Sequence, residues 1–246
     1  GHPAFRIPHS NAFLDVDRDL TADLLLTTGN EYEEWMNNEG VFEYSTTYPG
    51  PPDVKFVGQS SYADFNQDAQ IDHIVPACKT LDNHGSCQQS AIFIRNNHTW
   101  YLVKDDFSYF DGTWEFVPHN TGPLFTQTNY SQPPVLIVGD YNIDGFPDLL
   151  TIMTAMVPDE SNPPNKHPVQ RAVLFENTEC DNVNCATFGR TFKVVETKPF
   201  DSTDGVIMAA FYDIFENGLL DVVLVSLTGN PEVPRISFYE NKLALD

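Results

Sequence analysis

The chain has 246 residues, a formal net charge of −22 and 41% hydrophobic residues. It is long enough to bury a substantial core, either as one large β domain or as two smaller ones. The negative charge argues against binding to nucleic acid or to an anionic membrane through general electrostatics. Because the sequence contains neither a signal peptide nor a membrane-length apolar stretch, we expect a mature or excised extracellular piece that reaches a membrane only through an anchor absent from this chain.

Four acidic loops recur along the chain, each between two short apolar runs. They begin at Asp15, Asp64, Asp140 and Asp213, and three of them have oxygen-bearing side chains at the first, third, fifth and ninth places. Ca²⁺ takes about six to eight oxygen ligands in a flexible geometry, so this spacing suits a loop that wraps a calcium ion. Asp and Asn are also common turn residues whose side chains bond to nearby amides, and that interpretation remains the alternative.

The predicted calcium ligands are the side chains at these four places and the backbone carbonyl at the seventh. They are Asp15, Asp17, Asp19, Thr21 and Asp23 in the first loop, Asp64, Asn66, Asp68, Gln70 and Asp72 in the second, and Asp140, Asn142, Asp144, Phe146 and Asp148 in the third. The fourth loop has Phe215 at the third place, which leaves an incomplete set of Asp213, Asn217, Leu219 and Asp221. We therefore expect about three ions, and a fourth only if the incomplete loop binds one. Short β-rich flanks and the missing Glu at the twelfth place exclude EF-hands.

The apolar runs around the loops predict buried strands. These runs lie before the loops at 12–14, 61–63, 135–138 and 208–211, and after them at 24–26, 74–75, 149–152 and 222–225. Further β-like segments lie at 42–47, 91–95, 100–103, 172–176, 192–195 and 236–240. Three or four strands per loop, repeated about every 50 to 75 residues, favour the small antiparallel sheets of a β-propeller.

Proline, asparagine and glycine accumulate in segments 48–53, 105–132 and 158–168, where we expect long connections between strands. The middle segment is also rich in aromatic residues. We expect these to pack over a sheet edge; they are Phe107, Tyr109, Phe110, Trp114 and Phe116.

The four cysteines form two close pairs, Cys78 with Cys87 and Cys180 with Cys185. Their spacings match no common zinc pattern and no histidine pair accompanies them, so two local disulfides are favoured over metal binding. Disulfides indicate an oxidising compartment. Sequons at Asn97 and Asn129 agree with an extracellular glycoprotein.

The loops and their flanks, including VGDYNIDGFPDLL and FYDIFENGLLDVVLVS, resemble FG-GAP repeats, the calcium-binding blades of the integrin α-subunit propeller. The resemblance implies about four blades of a seven-bladed propeller, at approximately 9–56, 57–132, 133–204 and 205–246 within a partial propeller of 1–246. Four blades form an arc whose two ends are open, so we expect either that further blades of a longer protein complete it or that the open edges self-associate. The wider stretches, including RIPHSNAFLDVDRDLTADLLLTT and VGQSSYADFNQDAQIDHIVPAC, also resemble one particular family of cell-surface proteins with such repeats. This second resemblance implies the ectodomain of a single-pass type I membrane glycoprotein, with a secreted form, that acts in cell adhesion or T-cell modulation.

We therefore expect an extracellular module whose structural calcium ions hold its turns rigid while the propeller faces bind a cell-surface or extracellular protein. The chain lacks the Gly-x-Ser-x-Gly, His-Glu-x-x-His and phosphate-loop motifs, so we do not expect an enzyme. Two alternatives remain open, a calcium-dependent lectin and a propeller-containing extracellular hydrolase.

Overall fold

The computed structural model describes residues 5, 10–29, 31–83, 86–109, 112–116, 134–159, 162–183, 185–195, 203–228 and 233–242. Throughout these ranges the regular elements are β-strands, which pair antiparallel in several sheets. The predicted all-β class is confirmed. No helix in the described ranges has the length and apolar character needed to span a membrane.

The first two sheets follow each other along the chain. The first has the order β1 (Ala12–Leu14), β2 (Asp23–Thr28), β3 (Glu31–Asn38) and β4 (Val41–Pro49). The second contains β5 (Phe56–Val57), β6 (Ser61–Ala63), β7 (Asp72–Leu81), β8 (Cys87–Asn96) and β9 (Thr99–Lys104). Both β5 and β6 pair with β7, and Pro76 lies on β7 between the two pairings, where its missing amide interrupts neither ladder.

A small hairpin precedes the last two sheets and consists of β10 (Ser108–Tyr109) and β11 (Gly112–Thr113). The third sheet contains β12 (Glu115–Phe116), β13 (Ile137–Gly139), β14 (Asp148–Asp159), β15 (Asn162–Glu179) and β16 (Arg190–Val194). The fourth contains β17 (Val206–Tyr212), β18 (Asp221–Thr228) and β19 (Val233–Tyr239). Although β12 lies in the segment that we assign to the second unit, it pairs with β14 of the third sheet.

Each sheet packs against the next in chain order through a cluster of apolar side chains. Tyr32 and Tyr48 of the first sheet lie against Trp100 of the second. A large central cluster joins the second sheet to the third, and another joins the third to the fourth. The four sheets therefore form a row, with apolar layers between successive members.

The predicted strands next to the four loops are confirmed, as are the six further β-like segments. The predicted connection at 158–168 is wrong, because β14 and β15 continue through it as one long hairpin in which Met156 pairs with Pro168 and Pro158 with Lys166. β16 pairs only with residues 175–179 of β15, so the prolines of β15 lie where this strand has a single neighbour.

Both predicted disulfides are confirmed. Cys78–Cys87 joins β7 to β8, and Cys180–Cys185 closes the turn after β15, with Cα atoms 5.8 and 5.7 Å apart. Disulfides fit an extracellular or secreted protein.

The predicted packing of the aromatic segment is also confirmed for most of its members. Phe107, Trp114 and Phe116 are buried in the cluster between the second and third sheets, and the half-buried Tyr109 packs against it. Phe110 lies outside the described residues.

Candidate metal centre

The four acidic loops occupy equivalent positions in the four sheets. They connect β1 to β2, β6 to β7, β13 to β14 and β17 to β18. In every loop the residues at the fourth and sixth places have positive φ, a conformation that non-glycine residues rarely adopt. These residues are Arg18 and Leu20, Gln67 and Ala69, Ile143 and Gly145, and Glu216 and Gly218. The sequence repeat is therefore also a repeat of backbone shape.

Side-chain oxygens impose this shape by accepting hydrogen bonds from backbone amides. In the second loop Asp64 accepts from the amides of Asp68 and Ala69, at 3.1 and 2.8 Å. Asp68 in turn accepts from the amide of Gln70 at 2.8 Å. The third and fourth loops repeat all three bonds, and the first repeats two of them.

The aspartate that closes each loop is buried and fixes the loop to its sheet. Asp148 accepts the amide of Tyr141 with one oxygen, at 2.9 Å, and the amide of Asn177 on β15 with the other, at 2.8 Å. Asp23 and Asp221 accept equivalent bonds, and Asp72 accepts from Phe65 and from the Asn96 side chain. Each closing carboxylate thus has a structural role, and calcium ligation by its remaining lone pairs stays a prediction.

The first loop offers the arrangement best suited to a cation. One carboxylate oxygen from each of Asp15, Asp17 and Asp19 lies within 4.8 Å of the other two. The Oδ1 atom of Asp15 is buried and has no hydrogen-bond partner. Since three converging carboxylates repel one another and a buried oxygen without a partner is unfavourable, these residues fit a hard cation such as Ca²⁺.

The electrostatics of the second and third loops point the same way. Burial raises the pKa of Asp72 to about 7, with a further increase from the nearby Asp68 and Asp64 carboxylates. Burial likewise raises the pKa of Asp148 to about 6, and Asp144 adds to it. A bound cation would oppose both increases because it favours the charged carboxylate.

The fourth loop keeps the fold of the others but loses one oxygen. Phe215, at the third place, is 49% exposed and supplies no ligand. Asp213 nevertheless accepts the amides of Asn217 and Gly218, each at 3.0 Å. This loop therefore reaches the common backbone shape with an incomplete ligand set.

Several residues around the loops were not predicted from the sequence. Asn96 donates to both Asp68 and Asp72 at 2.7 Å, and its bond helps to lower the pKa of Asp68 against the opposing effect of burial. The Arg190 guanidinium lies 3.6 Å from the centre of the Phe146 ring beside the third loop. Both residues lie on strands far from the loops in sequence, so only the sheet register reveals them.

A repeated asparagine links neighbouring sheets. Asn177 donates its side-chain amide to the carbonyl of Phe65 at 2.9 Å, and Asn241 donates to that of Tyr141 at 2.8 Å. In both cases the acceptor stands at the second place of the preceding loop. Asn37 occupies the same position in the first sheet, where it donates to Ala22 of its own loop at 3.1 Å. In the first, third and fourth sheets this Asn lies two residues beyond the strand partner of the residue that follows the closing aspartate, so the position depends on strand register and was not predicted from the sequence.

The two sequons differ in what the structure says of them. Asn97 is exposed in the tight turn between β8 and β9, with φ of 46°. Asn129 lies outside the described residues.

Comparison with known proteins places these features in context. T-cell immunomodulatory protein of Mus musculus is 38% identical over 241 residues, which are 92% of this chain and 37% of the mouse protein. The chain is homologous to T-cell immunomodulatory protein. The homolog of that protein in Plasmodium falciparum is 28% identical over 253 residues, covering 88% of the chain and 34% of the relative. Protein linkin of Caenorhabditis elegans is 26% identical over 230 residues, covering 89% of the chain and 34% of the relative.

The chain thus spans little more than a third of the length of these T-cell immunomodulatory relatives. No protein-family model matches it, and no solved structure matches it. Homology to T-cell immunomodulatory protein fits the cell-surface adhesion or immune role expected from the sequence, whereas the integrin-like FG-GAP assignment remains a prediction.

Proposed function

We propose that the chain is an extracellular calcium-binding module of a cell-surface glycoprotein, which acts in cell adhesion or immune-cell modulation by binding another protein. The observation that carries the proposal is the coincidence of homology with T-cell immunomodulatory protein and four loops of one backbone shape, the first with three converging carboxylates. Two disulfides support an extracellular or secreted location. The membrane anchor and the secreted form belong to the same proposal.

In this proposal the four sheets are blades of a β-propeller, and each ion braces the turn at the start of its blade. The supporting features are the row of sheets, the equivalent loops and the three-residue strand that precedes each of the first three loops. A cation held by Asp15, Asp17 and Asp19 would neutralise the repulsion between their carboxylates. The loop backbone would not have to move, because Asp15 and Asp19 already hold its amides through hydrogen bonds. Rigid loops on a rigid scaffold are common carriers of protein recognition.

Calcium binding is tested by titration calorimetry and by the thermal midpoint in calcium and in excess chelator. A ligand that binds only the folded chain adds about 2.7 kcal/mol of stability at a hundredfold excess over its dissociation constant. The double variant Asp15→Asn/Asp19→Asn should lose one site. The matched control Glu31→Gln/Glu43→Gln removes two exposed charges outside the loops and should keep every site. Equal midpoints in calcium and chelator would contradict the calcium part of the proposal.

Partner binding is tested separately with the fluorescently labelled chain on T cells and on adherent cells. We expect saturable binding that protease treatment of the cells abolishes, since the proposed partner is a protein. Binding that glycan removal abolishes instead would favour a calcium-dependent lectin. Turnover on a panel of glycans and phosphoesters would contradict the proposed non-enzymatic role.

A further inference from the structure

One strand position lies beside the closing aspartate of every acidic loop. In the third sheet Leu149 pairs with Phe175, so the residue before Leu149, Asp148, lies across from Glu176. Directly opposed residues of an antiparallel pair have Cβ atoms about 4.5 to 5.5 Å apart, and their side chains emerge on the same face of the sheet. A residue at this place can therefore reach the loop although it is distant in sequence. We call it the cross-strand position.

The four sheets differ at the cross-strand position. From the first sheet to the fourth, the register places there Met36, Asn96, Glu176 and Glu240. Asn96 donates to both Asp68 and Asp72 at 2.7 Å, so it occupies carboxylate oxygens that a cation would need. Glu240 forms an ion pair with Lys242 at 3.4 Å. Of these four described residues, Glu176 is the one whose carboxylate bonds to its own loop.

Glu176 contacts the residue at the third place of that loop. The side-chain nitrogen of Asn142 donates to Oε1 of Glu176 and to Oδ2 of Asp144, each at 3.0 Å. The Asn142 oxygen accepts the backbone amide of Asp144 at 3.1 Å. An amide oxygen has two lone pairs, so one of them is left for a cation. The carboxylate of Glu176 thus holds the nitrogen side of an amide whose oxygen is a predicted calcium ligand.

Glu176 also changes the charge around the third loop. Burial lowers the pKa of Arg190, and the nearby Asp144 and Asp148 carboxylates oppose this decrease. The guanidinium therefore brings a positive charge close to the loop, where it would repel a divalent cation. The Glu176 carboxylate places a negative charge next to Asn142 and offsets that repulsion.

We propose that Glu176 is a positioning residue for the Ca²⁺ ion of the third loop, which holds the nitrogen of Asn142 so that the amide oxygen is free to ligate. Groups that orient metal ligands in this way typically raise metal affinity about 10- to 100-fold. Neither Met36 nor Asn96 supplies a carboxylate at the same position, so this support is absent from the first two sheets. The inference rests on the proposed calcium binding and adds to it a residue outside the loop.

The test is titration calorimetry with Ca²⁺ on the wild type and on two variants of Glu176. Glu176→Gln keeps an acceptor for Asn142 but removes the charge, whereas Glu176→Ala removes both. One ion should bind about 10- to 100-fold more weakly in Glu176→Ala, and the loss should be smaller in Glu176→Gln. The matched control Glu179→Gln removes a charge from an exposed residue three positions further along β15 and should leave every affinity unchanged.

Two further measurements assign the effect to the third loop and separate it from a structural role. In an Asp140→Asn/Asp144→Asn background, where this loop has lost two carboxylates, Glu176→Ala should have no further effect on calcium binding. Glu176→Ala should also lower the melting temperature in calcium and leave it unchanged in chelator.

Equal decreases of the melting temperature in calcium and in chelator would overturn the inference, as would unchanged calcium affinities in Glu176→Ala. Either result would leave the proposed calcium binding intact, because the wild type would still bind its ions. A wild type that bound no calcium would overturn both proposals.

Discussion

Replacement of Asn177 by alanine should destabilise the chain, because this side chain connects the second and third sheets. The Asn177 side chain is buried, donates to the Phe65 carbonyl at 2.9 Å and accepts from the Arg190 Nε atom at 3.0 Å. Truncation removes both bonds, although the half-buried Arg190 keeps its bond to the backbone carbonyl of residue 177. A neutral bond contributes about 1 kcal/mol and a bond to a charged group about 2 kcal/mol, so the expected loss is about 3 kcal/mol.

The assay is thermal and urea unfolding in saturating calcium, so that the metal state is constant. For a chain of this length, 1 kcal/mol shifts the melting temperature by about 2 to 4 °C, and the expected decrease is therefore about 6 to 12 °C. Asn38→Ala, an exposed neighbour at the end of β3, should change stability by less than about 0.5 kcal/mol. If Asn177→Ala were as mild as this control, the argument that these asparagines hold successive sheets together would be refuted.

Three further outcomes follow from the structure. In chelator, the free energy of unfolding should decrease as pH rises from about 4 through 7. Burial raises the pKa of Asp72 in the folded chain to about 7, so the stability gained from the protonated carboxyl is lost as pH passes that value. Urea unfolding across this pH range measures the decrease, and an Asp72→Asn variant with the same dependence of stability on pH would contradict the assignment to Asp72. Phe175→Ala should cost about 3 to 5 kcal/mol, since Phe175 is fully buried in the central cluster, and calorimetry would measure the loss. Asn97→Gln and Thr99→Ala should each remove one glycan from the chain when mammalian cells secrete it, and both variants should show the same increase in gel mobility. If neither variant shifted, the exposed turn would not be glycosylated.

The sequence was most informative where the chain repeats. Short apolar runs beside the acidic loops predicted β1, β2, β6 and β7 because a buried strand between turn residues has a local signature. The cysteine pairs were equally local, since each disulfide joins residues separated by one hairpin or turn.

The strand β3 was missed for a physical reason. Its sequence EYEEWMNN is acidic, yet Glu33 and Glu34 are almost fully buried. Glu34 pairs with Arg95 of the second sheet at 3.2 Å, and Glu33 accepts a bond from Trp35 at 3.0 Å. Burial of these charges depends on partners that tertiary contacts supply, and no local pattern shows them.

The candidate site was predicted in its ligand types but not in its support. The spacing identified the loop carboxylates, whereas the structure shows that the same oxygens already hold the loop amides. Asn96 and Arg190 could not be foreseen, because their approach to the loops depends on the pairing of distant strands.

In each unit the residue after the closing aspartate packs toward the preceding sheet and the next residue packs toward the following one, as Leu149 and Leu150 do in the third sheet. This alternation also bears on how such a chain can change over generations. Every unit presents the same two kinds of surface in the same order, so a duplicated unit would meet compatible neighbours on both sides at once. Deletion of a unit would likewise bring together two surfaces of the kinds that already meet elsewhere in the chain. Chains built by this rule can vary in length by whole units, with stability set by each unit and its nearest neighbours, without coordinated substitutions elsewhere.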